Sequence, residues 1–165
     1  MKHKTGVFDE HHLPILKEVY NALDPSLVVP STLPRTYKKM DYVTIRSQRI
    51  NVGQFVSAKP ILDVSCASYS AMVTRDPSIR VAKIIHFLVH SFYVDGSVIT
   101  HAFAMVDWLA CHSRRNLLGK PTEIWCADSY DTLHNNVLLP LENISCLLLC
   151  SKYFRDTVLV TVPLS

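Results

Sequence analysis

Two histidines four residues apart, His86 and His90, and a looser set of thiols and imidazoles, Cys111, His112, Cys126 and His134, are the residues whose types best suit chemistry. Histidines at i and i+4 can hold a metal when they share one face of a helix. The run around them, Val81 to Val94, reads instead as a strand. On a strand, such residues share a face but stand roughly 13 Å apart. Position 87 is phenylalanine, so no acidic partner accompanies the pair. Partly exposed histidines on a sheet face are expected. Cys111, His112, Cys126 and His134 could reach one end of a barrel through loops, but their spacing matches no zinc knuckle. A Cys/His nucleophile pair among them lacks an oxyanion motif nearby. His11 and His12 are adjacent and would diverge on a helix. The carboxylates Asp107, Glu123, Asp128, Asp131 and Glu142 are scattered, and four dispersed glycines make no phosphate-binding loop. These residues predict no catalytic group, no metal site and no cofactor, hence a non-enzymatic chain.

Residue types suited to binding are more concentrated. Tyr93, Phe103, Trp108, Trp125 and Tyr130 fall in one hairpin-rich half. Of these, Tyr93, Trp108, Trp125 and Tyr130 are candidates for an aromatic cage that attracts a cation such as methylated lysine. The competing reading is that Trp108 and Trp125 fill the core, as aromatic residues on short strands do. Basic residues cluster at Arg35, Lys38 and Lys39, at Arg46 and Arg49, and at Arg114, Arg115 and Lys120. Arg114, Arg115, Lys120, Arg46 and Arg49 are the candidates for nucleic-acid contact, with Arg114 and Arg115 exposed in a polar loop. The net charge of +3 is nevertheless low for a dedicated nucleic-acid binder.

The elements that must position these residues are mostly strands. Asp95-Gly96 separates two long apolar-rich runs, 81–94 and 98–109, and is a strong hairpin signal. Val43/Ile45 and Ile50/Val52 alternate around a polar centre, which predicts a second hairpin or two short strands. Further strands are expected between Ile61 and Val73, and over 122–126, 137–141, 144–152 and 157–162. Thr74 to Pro77, 109–121 and 128–136 read as loops. Near the start, Leu13, Leu16, Val19, Tyr20 and Leu23 follow a helical period, which predicts a helix over 8–23 stopped by Asp24-Pro25. The fold class expected is mainly β: a small antiparallel barrel with an N-terminal helix and long loops. Residues 1–40 read as a helical arm with a Pro-rich connector, and 41–165 as the barrel domain.

The 165 residues are 48% hydrophobic and 19% charged, enough for a packed core. Five cysteines, Cys66, Cys111, Cys126, Cys146 and Cys150, sit in or beside apolar stretches without C-x-x-C spacing. Free, partly buried thiols in an intracellular protein are expected. The apolar runs are interrupted by His, Lys, Asp or Asn, which argues against a membrane partner.

The order of several fragments resembles a bromo-adjacent homology domain. They are Val81-Ala82-Lys83-Ile84-Ile85-His86-Phe87, then Ala104 to Trp108, then Thr122-Glu123-Ile124-Trp125, then Leu138 to Cys146. The likeness covers residues 79–150. It departs where the family often has Arg-Pro after the tryptophan, since Leu109-Ala110-Cys111-His112 follows Trp108. His101 to Trp108 and Gly119 to Trp125 also resemble the barrel-like tails of polyproteins from invertebrate DNA transposons. The resemblance implies a distorted β-barrel that binds a protein tail or belongs to a larger assembly, associated with chromatin or a mobile element and hence nuclear. The alternative class is a nucleic-acid-binding accessory domain acting through the basic loops. Neither reading specifies an oligomeric state.

Overall fold

A computed structural model describes residues 3–62, 79–131 and 136–164. The strands and loop expected between Ile61 and Pro77 fall largely outside the described residues, as do Cys66 and His134. The chain is mainly β. In order it contains β1 (Lys4–Val7), α1 (His12–Leu23), β2 (Thr36–Met40), β3 (Tyr42–Ile45), β4 (Gln48–Asn51) and β5 (Phe55–Ala58). There follow β6 (Arg80–Val94), β7 (Ser97–Cys111), β8 (Glu123–Tyr130), β9 (Leu138–Pro140), β10 (Ile144–Tyr153) and β11 (Val158–Pro163). A 3-10 turn, Leu141–Asn143, links β9 to β10.

The hairpin signal is realised. β6 and β7 pair antiparallel from Val94↔Ser97 down to Ala82↔Trp108. Asp95 and Gly96 have φ of 50° and 77°, the left-handed pair that a two-residue hairpin turn requires. The second hairpin is β3–β4, closed by Arg46 and Ser47 with φ of 48° and 66°. Beyond β6–β7, the pairings β6–β5, β5–β10, β10–β11, β11–β8 and β8–β7 run round a barrel-like ring. Its thinnest seam is β7–β8, where the register shifts between Leu109 and Cys111.

Three apolar clusters fill this frame. Inside the ring, Val81, Leu109, Trp125, Leu148 and Leu159 meet. On its outer face, Val56, Ala58, Ile84, Val106, Trp108 and Leu147 pack with Ile50 of the β3–β4 hairpin and Leu139 of β9. At the far end of the long hairpin, Leu88, Phe92 and Phe103 pack against Ile15, Leu16, Val19 and Tyr20 of α1. A register shift between Ile84 and His86 re-phases β6 between these clusters.

The helix is shorter than its periodicity suggests. It begins at His12, not Phe8, and Lys4–Val7 before it forms a strand on β2. Phe8 is buried, and its N–H donates to the Arg35 carbonyl at 2.8 Å, so the chain turns a corner there. Pro14 then falls in the first helical turn, where no intrahelical N–H is needed. Gly6 lies opposite Tyr37, and a Cβ at Gly6 would collide with that ring. β1 and β2 therefore belong to the same nine-stranded sheet as the ring, and α1 shares its core with β6 and β7.

Candidate functional site

The four cage candidates lie in different places. Trp108 faces the outer cluster and donates its indole N–H to the Asn136 carbonyl at 2.6 Å. Trp125 is fully buried inside the ring and donates to Glu123 Oε2 at 3.1 Å. Tyr130 packs beside that inner cluster, while Tyr93 stands 76% exposed near the hairpin tip. Trp108 shares neither face nor cluster with Trp125, and Phe103 belongs to the helix-covered cluster. The four residues thus divide between the outer cluster, the inner cluster and the hairpin tip.

The basic candidates divide as well. Arg114 and Lys120 are exposed, as expected of a polar loop. Arg115 is not: it is buried, with the guanidinium 4.4 Å over the Trp125 ring. It donates to Glu123 Oε1 at 3.1 Å and to the Ile79 carbonyl at 2.9 Å. The loop folds inward because the Ile124 N–H bonds the Arg115 carbonyl, which carries the side chain to the end of the ring. Arg80 is buried beside the same end of the molecule and pairs with Asp131 at 3.1 Å. Arg46 and Arg49 are exposed on the β3–β4 hairpin, though both side chains are engaged. Arg46 donates to the Ser145 carbonyl at 2.7 Å, and Arg49 stacks on Tyr42 at 3.8 Å.

His86 and His90 are buried, not partly exposed. Helix α1 and the connector before β2 cover them. His90 Nε2 lies 2.8 Å from the Pro34 carbonyl, which only accepts, so that nitrogen carries the proton. Nδ1 is then the acceptor for the Tyr20 hydroxyl at 2.7 Å. Burial lowers the His90 pKa and raises that of Tyr20, which keeps both neutral. His86 Nε2 shares a 3.2 Å hydrogen bond with the Tyr37 hydroxyl. Burial, then Lys39 and His12, lower its pKa. These contacts pin the helix and connector to the hairpin.

Among the thiols, Cys126 donates to the Cys111 carbonyl at 3.5 Å, and Cys111 Sγ accepts from Arg80 at 3.6 Å. His112 Nδ1 accepts the Arg114 N–H. These residues form no metal-ligand group among the described residues.

One group does meet. Ligand atoms of Asp9, His11 and His12 all lie within 4.8 Å of one another at the β1–α1 corner. The two imidazoles do not diverge as expected of adjacent helical residues; His11 occupies the N-cap position of α1 without a side-chain capping bond, and His12 begins the helix. Their ring centroids are 4.1 Å apart. The His-His pair in the sequence was the available signal, masked by the expectation that the helix already ran through it.

A second surface lies on the outer side of β10, β11 and β8. Leu149 lies opposite Val162, Ser151 opposite Val160, and Tyr153 opposite Val158. Val158 and Val160 in turn lie opposite Cys126 and Ile124. Directly paired residues project to the same face, so these form one surface, apolar apart from Ser151. Leu149 is 57% exposed and Tyr153 53%. At its end the β10–β11 turn passes through Phe154, Arg155 and Asp156, all with positive φ. Each such residue costs about 1–2 kcal/mol over right-handed backbone. Phe154 is 79% exposed there.

No family model, curated protein or solved structure matches the chain. No helix among the described residues is long and apolar enough to cross a membrane.

Proposed function

We propose that this chain is a non-enzymatic interaction module that binds a protein partner on the outer face of β10, β11 and β8. The observation that carries the reading is the apolar row Leu149, Val158, Val160 and Val162, continued by Tyr153 and the exposed Phe154. A contiguous apolar surface in water favours burial, at about 25 cal/mol per Å² removed from solvent. The charges at its rim favour a protein over a polyanion. Lys152 pairs with Asp128 at 2.7 Å, and Arg155 is followed by Asp156, so the rim carries no excess of either sign. A partner would be recognised by apolar shape, with little electrostatic steering. This is compatible with a bromo-adjacent homology-like role in a larger assembly.

The test is a photo-crosslinking residue placed at Ser151, which is exposed between Leu149 and Tyr153. The expected result is a discrete adduct in cells, retained by purified components at high salt and lost in Leu149→Asp. Sedimentation velocity distinguishes a second copy of the chain from another protein. No adduct beyond that from a control crosslinker at Ser47 would refute the proposal. So would an association that weakens steeply with salt, as phosphate contacts do.

A further inference from the structure

We infer that Asp9, His11 and His12 form a binding site for a divalent transition metal, of which Zn2+ is the best fit. Two imidazoles and a carboxylate are the donor types that borderline-soft ions such as Zn2+ accept. Ligand atoms at about 2.0–2.2 Å from one ion lie about 3–3.5 Å from each other. The three donors already lie within 4.8 Å, so side-chain rotation of about 1 Å closes the set.

The backbone beneath them is held before any ion arrives. Phe8 is buried against Tyr37, with ring centroids 4.6 Å apart, and is bonded through its N–H to Arg35. The His12 N–H donates to the Asp9 carbonyl at 3.0 Å, which ties two of the three ligands together in one turn. A site pre-ordered in this way loses less entropy on binding than a flexible terminus would.

The positive end of α1 opposes a cation here, by about 0.3–1 kcal/mol. The Asp9 carboxylate works against that field. Glu10 adds a second negative charge at the same corner, although Arg35 lies 3.7 Å from it. His86 is engaged by the Tyr37 hydroxyl and is not counted as a ligand. Three protein donors leave at least one coordination position for water or for a group from another molecule.

The experiment uses the full chain with Zn2+ and Co2+. Isothermal titration is expected to give one Zn2+ per chain. Bound Co2+ should show weak visible bands without the intense near-ultraviolet absorption of cobalt–thiolate, and Zn2+ should displace it. Asp9 and His11 are exposed, so Asp9→Asn and His11→Ala should keep the fold, checked by circular dichroism. Each should weaken Zn2+ binding by at least about tenfold, since even outer-shell changes have that effect. Absence of saturable uptake overturns the inference. Uptake unchanged in the Asp9→Asn/His11→Ala variant, or a thiolate absorption band, overturns it by placing the ion on the cysteines.

Discussion

Replacing Arg115 by methionine should destabilise the fold by about 3 kcal/mol. Breaking one member out of a buried ion pair costs about 3–5 kcal/mol where the other charge loses its partner in a poorly solvated place; here Glu123 keeps the Trp125 N–H, which holds the loss toward the lower end. The Arg115 and Glu123 side chains are 7% and 20% exposed, so the pair belongs to that class and not to the surface class worth about 0–1 kcal/mol. Two further losses add to it: the bond to the Ile79 carbonyl, and a stacking contact on Trp125 worth about 0.5–2 kcal/mol. One gain offsets them. Arg115 Nε is buried without a hydrogen-bond partner, and methionine removes that atom while filling much of the space. The lower end of the range is therefore expected. With a urea slope of about 2 kcal/mol/M, the unfolding midpoint falls by about 1.5 M. Arg114→Met, in the exposed neighbour, should stay within about 0.5 kcal/mol of the parent. Adding Glu123→Gln to Arg115→Met should recover about 1–3 kcal/mol as non-additivity. An Arg115→Met midpoint indistinguishable from that of Arg114→Met would return Arg115 to the solvated loop that its sequence context suggests, and the argument from burial would fail.

Acid should weaken the protein through its histidines. His90, His86 and His12 have folded-state pKa values lowered chiefly by burial, from 6.5 when unfolded. The unfolded chain then binds protons that the native state declines. Stability is full above about pH 6.5 and falls as pH drops below it, by at most about 1.4 kcal/mol per pH unit for each histidine. Urea midpoints between pH 7.5 and 5 should show the decline, and a flat profile would contradict the buried neutral pair. The thiols offer a separate check. Burial pushes Cys150 up to about 11 and raises Cys126 and Cys146, so native alkylation at pH 8 should be slow at these three. Denaturation without reductant should expose five reactive thiols by mass spectrometry, and a disulfide would disprove the free-thiol assignment.

The long hairpin, the β3–β4 hairpin and the later strands were legible because their signals are local. Asp95-Gly96 needs only its own φ angles to turn the chain, and the alternation in 42–52 needs only its neighbours. Helix α1 was legible in its second half, where Leu16, Val19 and Tyr20 repeat, but its start was not. That boundary is decided by Phe8 entering a core built from Tyr37 and His90. The basic loop failed for the same reason. Nothing within 109–121 indicates that Arg115 will meet Glu123 and Trp125, since that contact depends on the loop folding back onto β8.

The histidines of β6 show how such a failure arises physically. Strict alternation would put Ile84, His86 and Leu88 on one face. The register shift after Ile84 changes the phase: Phe87 joins Ile84 in the outer cluster, and Leu88 and Phe92 turn toward α1 with His90 between them. A strand covered on both faces reads as a continuous apolar run, so its composition holds no mark of where the phase changes. His90 is then satisfied by Tyr20 and Pro34, residues 70 and 56 positions away. Imidazoles that look available in the sequence are thus consumed in joining helix to hairpin. His11 and His12, which look redundant, lie at the corner where that helix begins. A chemical role read from side-chain type alone starts from His86 and His90, whereas the pair whose ligand atoms meet a carboxylate is His11 and His12, at the corner where α1 begins.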